Sequence, residues 1–169
     1  MKKVLIFGSF IISLAFSGNL WAQGSYFSIG GGLLTFDEDS ESIEPIRLVG
    51  RVGHDFNEYI GLGGEFGFSL IDDEFAGVDF DVTTFFLYLR GMIPVNDDSF
   101  IYAVVGPTNV ELTASVNSAS ASADEDGTGF GFGFQTKLDS YSFFVESISY
   151  YDDDGVEVDS INLGISSYF

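Results

Sequence analysis

Between its acidic stretches the chain alternates bulky apolar residues with small or polar ones, two residues to a period, and no stretch of useful length shows a helical period. In GFGFGFQTKL, Phe130, Phe132, Phe134 and Leu138 alternate with Gly129, Gly131, Gly133, Gln135 and Lys137. In IGLGGEFGFSL, Ile60, Leu62, Phe66, Phe68 and Leu70 share one face, and Gly61, Gly63, Glu65, Gly67 and Ser69 share the other. The alternation predicts eight strands, over residues 25–36, 46–56, 60–70, 78–94, 100–113, 129–138, 143–151 and 157–169. The connections after the first, third, fifth and seventh strands are long and acidic, and those after the second, fourth and sixth are short. Such loops fall on opposite ends of an up-and-down meander. The fifth strand has mixed faces, its inward residues are left unassigned, and Pro107 predicts a bulge or an outward break there.

The bulky face decides the setting. A soluble barrel fills its interior with large apolar side chains and turns its charges outward. Here the charges and glycines share the narrow face and the Phe, Leu and Ile residues take the other, as in a barrel whose outer wall meets hydrocarbon. Closure of the sheet removes strand edges that lipid cannot solvate. The expected fold is therefore all-β, an eight-stranded antiparallel up-and-down transmembrane β-barrel.

Residues 1–22 read as a secretory signal peptide. MKK precedes the apolar run VLIFGSFIISLAF, which is shorter than the roughly 20 residues of a membrane span, and Ala22 supplies a small residue at the cleavage point. The barrel domain is then 23–169. The formal charge is −20 and becomes more negative when Lys2 and Lys3 leave with the leader, which excludes nucleic acid as a natural partner. The chain has no cysteine, so backbone pairing and side-chain packing must hold it together.

The strand rhythm, the Val145-Glu146 step and the ending INLGISSYF together resemble the small outer-membrane barrels of the OmpA/OmpX type. The resemblance implies a Gram-negative outer membrane location and a monomer. It also implies that Ile161, Leu163, Ile165 and Phe169 form a signal read by the outer-membrane assembly machinery. No residues are present for the peptidoglycan-binding domain of the longer members.

Strand parity places Arg47, Arg51, Glu65, Arg90, Lys137 and Glu146 inside the barrel. A turn centred on Glu58 sets Arg51 opposite Glu65, Arg90 is expected on the other neighbour of Glu65, and Lys137 is expected near Glu146 across the turn at Tyr141. A bore of eight strands is just wide enough for side chains to fill, so the expectation is an occluding salt-bridge core. The expected role is structural or one of surface interaction through acidic extracellular loops, with a lipid-modifying enzyme or a narrow channel as alternatives. No catalytic residue and no cofactor are expected. His54, the only histidine, reads as an interfacial residue facing lipid, with no serine fixed near it by spacing. Asp124, Asp126, Asp152, Asp153 and Asp154 are weak metal candidates that lack the ligand spacing of an EF-hand. The expected partners are lipid and lipopolysaccharide, bridged to the acidic loops by divalent cations.

Overall fold

The computed structural model describes residues 24–38, 41–71, 73–75, 78–116, 119–153 and 156–169. The expected leader and its cleavage point lie outside them. Eight long strands follow one another: β1 (Gly24–Glu38), β2 (Ile46–Asp55), β3 (Ile60–Ile71), β4 (Val78–Asn96), β5 (Ser99–Val116), β6 (Ala119–Leu138), β7 (Tyr141–Asp153) and β8 (Val156–Tyr168). Each pairs antiparallel with its sequence neighbours. β1 closes the barrel on β8, in register from Tyr26↔Tyr168 to Glu38↔Val156. Two short strands, Glu41–Ile43 and Asp73–Phe75, pair with the long-loop ends of β1 and β4.

Alternation dictates the two walls. Gly61, Gly63, Glu65 and Gly67 of β3 are buried, whereas Leu62, Phe66 and Leu70 are exposed on the outer wall; Phe130, Phe132 and Phe134 of β6 are exposed likewise. In β5 the inward set is Tyr102, Val104, Thr108 and Val110, and Ile101 and Val105 face out. The tight turn from β6 to β7 is made at Asp139 and Ser140. Asp139 has a φ of 54°, a left-handed conformation that a short polar side chain tolerates.

Three features depart from the sequence reading. Of the segment 114–128, read as a long loop, residues 114–116 and 119–128 are strand: β5 and β6 stay in register out to Val116↔Ala119. Its Ala, Ser and Asp residues have poor strand propensity, and the continuous backbone ladder overrides it. Pro107 makes neither a bulge nor a break. Phe86↔Thr108 and Leu89↔Val105 keep one register on either side of it, and pairing to β4 lapses only opposite Gly106 and Pro107. Proline lacks an N–H, so a ladder bond is lost where its nitrogen faces β4, while Pro107 stays paired with Thr128 on β6. Gly106 is required there, because a Cβ would collide with the Leu87 carbonyl. The register shifts lie elsewhere, at Ile46/Arg47, Pro94/Asn96 and Val158/Asp159.

The third departure concerns the bore, which is not lined by small groups alone. Phe86, Tyr88, Tyr102, Phe144, Ile148 and Tyr150 are buried in it. Leu34, Val82, Val110 and Val158 join this cluster toward the long-loop end. The inward glycines make room for these large side chains, so that interior volume is filled by alternating small and large groups.

Candidate functional site

The middle of the bore holds a plug of charged side chains built from β2, β3 and β7. Inward parity on β2 points Arg47 and Arg51 at the axis. Arg51 and Glu65 are cross-strand partners. Arg51 Nε donates to Glu65 Oε2 at 2.6 Å and Nη1 donates to Glu146 Oε2 at 2.6 Å; its Nη2 touches both carboxylates. Arg47 Nη2 donates to Glu65 Oε1 at 3.1 Å and to Thr84 Oγ1 at 2.7 Å. An added Cβ at Gly67 would stand inside the Arg47 guanidinium, so only glycine lets that side chain cross to Glu65.

Hydroxyls and amides complete the carboxylates. Tyr150 donates to Glu65, Tyr102 donates to Glu146 Oε2 at 2.8 Å, and Asn162 Nδ2 donates to Glu146 Oε1 at 3.1 Å. Aromatic faces cover the cations, with Tyr150 4.8 Å from the Arg47 guanidinium carbon and Phe144 4.9 Å from that of Arg51. Glu65 is 1% exposed. A charge so far from water needs this set of partners, because desolvation of an unpaired ion costs several kcal/mol.

Arg90 occupies a separate level. It does not neighbour Glu65, whose partner on β4 is Phe86; Arg90 lies opposite Gly61. Parity gave its face correctly, but its height along the bore differs. Its Nη2 donates to Gln135 Oε1 at 2.8 Å, its Nη1 is 3.8 Å from Asp55 Oδ1, and its guanidinium carbon sits 4.5 Å from the Tyr102 ring centroid. Lys137 stands outside the plug altogether. It is exposed and lies opposite Ser142, whereas Glu146 lies opposite Gly133, further along β7. The interior balance is therefore Arg47, Arg51 and Arg90 against Glu65, Glu146 and Asp55. Asp55 was missed by the sequence reading, although its parity matches Arg51 and Gly53; its place beside the turn obscured that signal. The hydroxyl and amide partners carry no charge and gave none.

Within the plug, Tyr26, Arg51, Arg90, Tyr102, Gln135 and Glu146 help to line a space of about 10 Å³. That is room for about one water molecule.

His54 lies on the outer face with an exposed Phe56 ring against its edge, and its Nδ1 is 3.0 Å from Ser25 Oγ. That serine comes from β1 by strand pairing, which spacing along the sequence could not show. Asp55 faces inward and binds Tyr168, so it forms no relay with His54 and Ser25. Of the metal candidates, Asp124, Asp126 and Asp152 are exposed. Asp126 accepts from Asn109 Nδ2 at 3.1 Å, and Asp154 and the Asp153 side chain lie outside what is described. Among the described residues no three acidic or histidine groups stand close enough to hold a metal ion. Ile161, Leu163, Ile165 and Phe169 all face outward into the lipid band.

Residues 5–169 match the family described as outer membrane protein beta-barrel domain. The chain belongs to that family. The outer membrane is accordingly where this barrel resides. Among solved structures, it is similar to Ail, the attachment invasion locus protein of Yersinia pestis, solved in complex with the heparin analogue sucrose octasulfate. The two share 20% identity over 86% of this chain and 99% of that one, with a TM-score of 0.69. Neisserial surface protein A is similar at 8% identity, 86% and 97% coverage and a TM-score of 0.71. Pseudomonas aeruginosa OprG is similar at 12% identity, 88% and 97% coverage and a TM-score of 0.60. At these identities the likeness shows the fold. Against curated proteins the sequence finds no significant match.

Proposed function

We propose that this outer-membrane barrel acts at the cell surface as an interaction protein and not as a conduit. The observation that carries the reading is the extension of β4, β5 and β6 beyond the barrel at the long-loop end, which in this family's membrane faces outward. β6 pairs with β7 only as far as Phe130↔Ser149, but with β5 out to Ala119. Among the described residues, no strand is paired with the far edge of β6 from Ala119 to Gly129. Asp124, Glu125 and Asp126 on that length are exposed. An unpaired, hydrogen-bonding edge raised above the membrane is suited to recognition, and the filled bore leaves no comparable feature for transport. Ail is named for attachment and was solved with a sulfated, anionic ligand; the acidic extension here favours partners of the opposite charge.

The test replaces residues 111–124 with Asn-Gly, which removes Ala119–Asp124 from the unpaired edge and keeps Val110 and Glu125 as the hairpin's last pair. Cells bearing this variant should adhere several-fold less than the parent to animal-cell or bacterial surfaces, an estimate for losing most of a recognition edge. Equal adhesion, or sustained single-channel openings of the parent in planar bilayers, would contradict the reading.

A second reading concerns lipopolysaccharide. Asp37, Glu157 and Asp152 stand side by side on β1, β8 and β7, in register and beyond the lipid-facing Leu33 and Ile161. Asp159, hydrogen-bonded to Glu157, holds the Glu157 carboxyl above the usual range, and Asp152 and Asp37 add to the effect. We infer that divalent cations, each held by one or two of these carboxylates together with anionic groups of lipopolysaccharide, bridge the row to the surrounding leaflet. Calcium should raise the melting temperature of detergent-folded protein, by less in Asp152→Asn/Glu157→Gln. The effect should shrink on acidification, since Glu157 takes up its proton at a higher pH than an ordinary glutamate. Melting curves that ignore millimolar calcium in both proteins would leave the carboxylates a solvating role only.

A further inference from the structure

The wall parts where β6 leaves β7 above Phe130↔Ser149, and side chains fix the place. Thr108 reaches from β5 past Gly129 and donates its Oγ1 hydrogen to the Tyr150 carbonyl at 2.6 Å. A Cβ at Gly129 would come within 2.5 Å of the Thr108 methyl carbon, so glycine keeps that path clear. The carbonyl is thus satisfied without a β6 amide. The Tyr151 ring lies against Gly127, 3.0 Å from where a Cβ would stand. Beyond these contacts the β6 edge runs free of β7.

An open edge is a template for another strand, and natural edges are commonly blunted by lysine, proline or a bulge. From Ala121 to Asp126 this one carries none of them, and it stays in register with β5 throughout. Its charges are all acidic, which repels a second copy of the same edge and admits a basic strand. Ser122, Asp124 and Asp126 share the outer face with Phe130, while Ala121, Ala123 and Glu125 share the other, and all six are exposed. Neighbours on one face of adjacent strands interact directly. The outer face therefore suits cations, and the alanines leave room for larger apolar side chains.

We propose that this edge takes an extended basic polypeptide segment as an added strand, with Lys or Arg at alternate positions beside Asp124 and Asp126 and apolar residues beside Ala121 and Ala123. Main-chain hydrogen bonds supply affinity in such additions, and the alternate side chains supply selection. The proposal rests on the surface-interaction reading and names the partner of that same edge.

The test measures binding of a short fluorescent peptide of alternating Lys and Val to the folded protein in zwitterionic nanodiscs at physiological salt. The parent should bind, and hydrogen exchange of backbone amides between Ser122 and Asp126 should slow as the edge becomes paired. Asp124→Asn/Asp126→Asn should weaken binding about tenfold, the combined effect expected of two partly screened charges. A peptide with its two central residues N-methylated keeps its charge but loses a donor on each edge, and should also bind about tenfold more weakly. Absence of binding by the parent, equal binding by the Asn variant or by the methylated peptide, unchanged amide exchange, or pairing of discs through a second copy would each overturn the proposal. The shortened hairpin separates these results from the reading beneath them. If it loses adhesion while the parent ignores the peptide, the edge recognises something other than a basic strand and only this proposal falls.

Discussion

Arg51→Met should destabilise the folded barrel by about 3–5 kcal/mol, the range for removing one partner of a buried ion pair. Arg51 is the group that joins the two carboxylates of the plug. Without it Glu65 keeps Arg47 and the Tyr150 hydroxyl, but Glu146 keeps only neutral donors, Tyr102 and Asn162. Methionine fills much of the vacated length, so the loss reflects the stranded charge more than a cavity. Denaturant unfolding in detergent, followed by heat-modifiable gel migration, gives the midpoint. Arg51→Met/Glu146→Gln should recover a large part of the loss, because the abandoned anion is then gone. An unchanged midpoint for Arg51→Met, or a double variant no better than the single, would show that the plug does not depend on this pairing.

The second large effect is expected on assembly and not on stability. Phe169 is 74% exposed on the outer wall, while its backbone holds Ser25 through two hydrogen bonds, Phe169 N to Ser25 O at 2.9 Å and Ser25 N to Phe169 O at 3.2 Å. Phe169→Asp keeps that backbone and changes only an outward side chain. Protein refolded in detergent should therefore melt close to the parent, while the folded amount recovered from outer membranes should fall several-fold with export intact, as expected if the outward row Ile161, Leu163, Ile165 and Phe169 is read during insertion. Equal membrane yields would remove the recognition role. A matching fall in detergent stability would assign the loss to folding instead.

These expectations show which parts of the structure a sequence discloses. Facing was legible because the strand period is two: Glu65, Arg51 and Arg90 turn inward wherever their strands are placed. Register across a short turn was legible too, which is why Arg51 and Glu65 could be paired from the position of Glu58. Height in the bore was not. Arg90 meets Asp55 because both lie opposite Gly61 on β3, and the β3–β4 register, set across a long connection, is not encoded by any local spacing. Lys137 shares its face with the bore, yet it sits so near its turn that it is exposed. The β6 edge escaped for another reason. Ala, Ser and Asp are loop-like in isolation, and their strand conformation depends on a partner ladder already laid down by β5.

The Arg51–Glu146 pair also has a place in time. Arg51 is on β2 and Glu146 on β7, and between them stand only β1 and β8, the two strands of the closing seam. The residues are 95 positions apart in sequence, so they meet only when the ends of the domain have found each other. Forming contacts of such separation is the slow part of folding a sheet. A sheet that has curled but not closed still carries Glu146 without its cation, and this uncompensated charge opposes any closure that slips the β1–β8 register. The plug thereby favours the one β1–β8 register that brings Arg51 to Glu146.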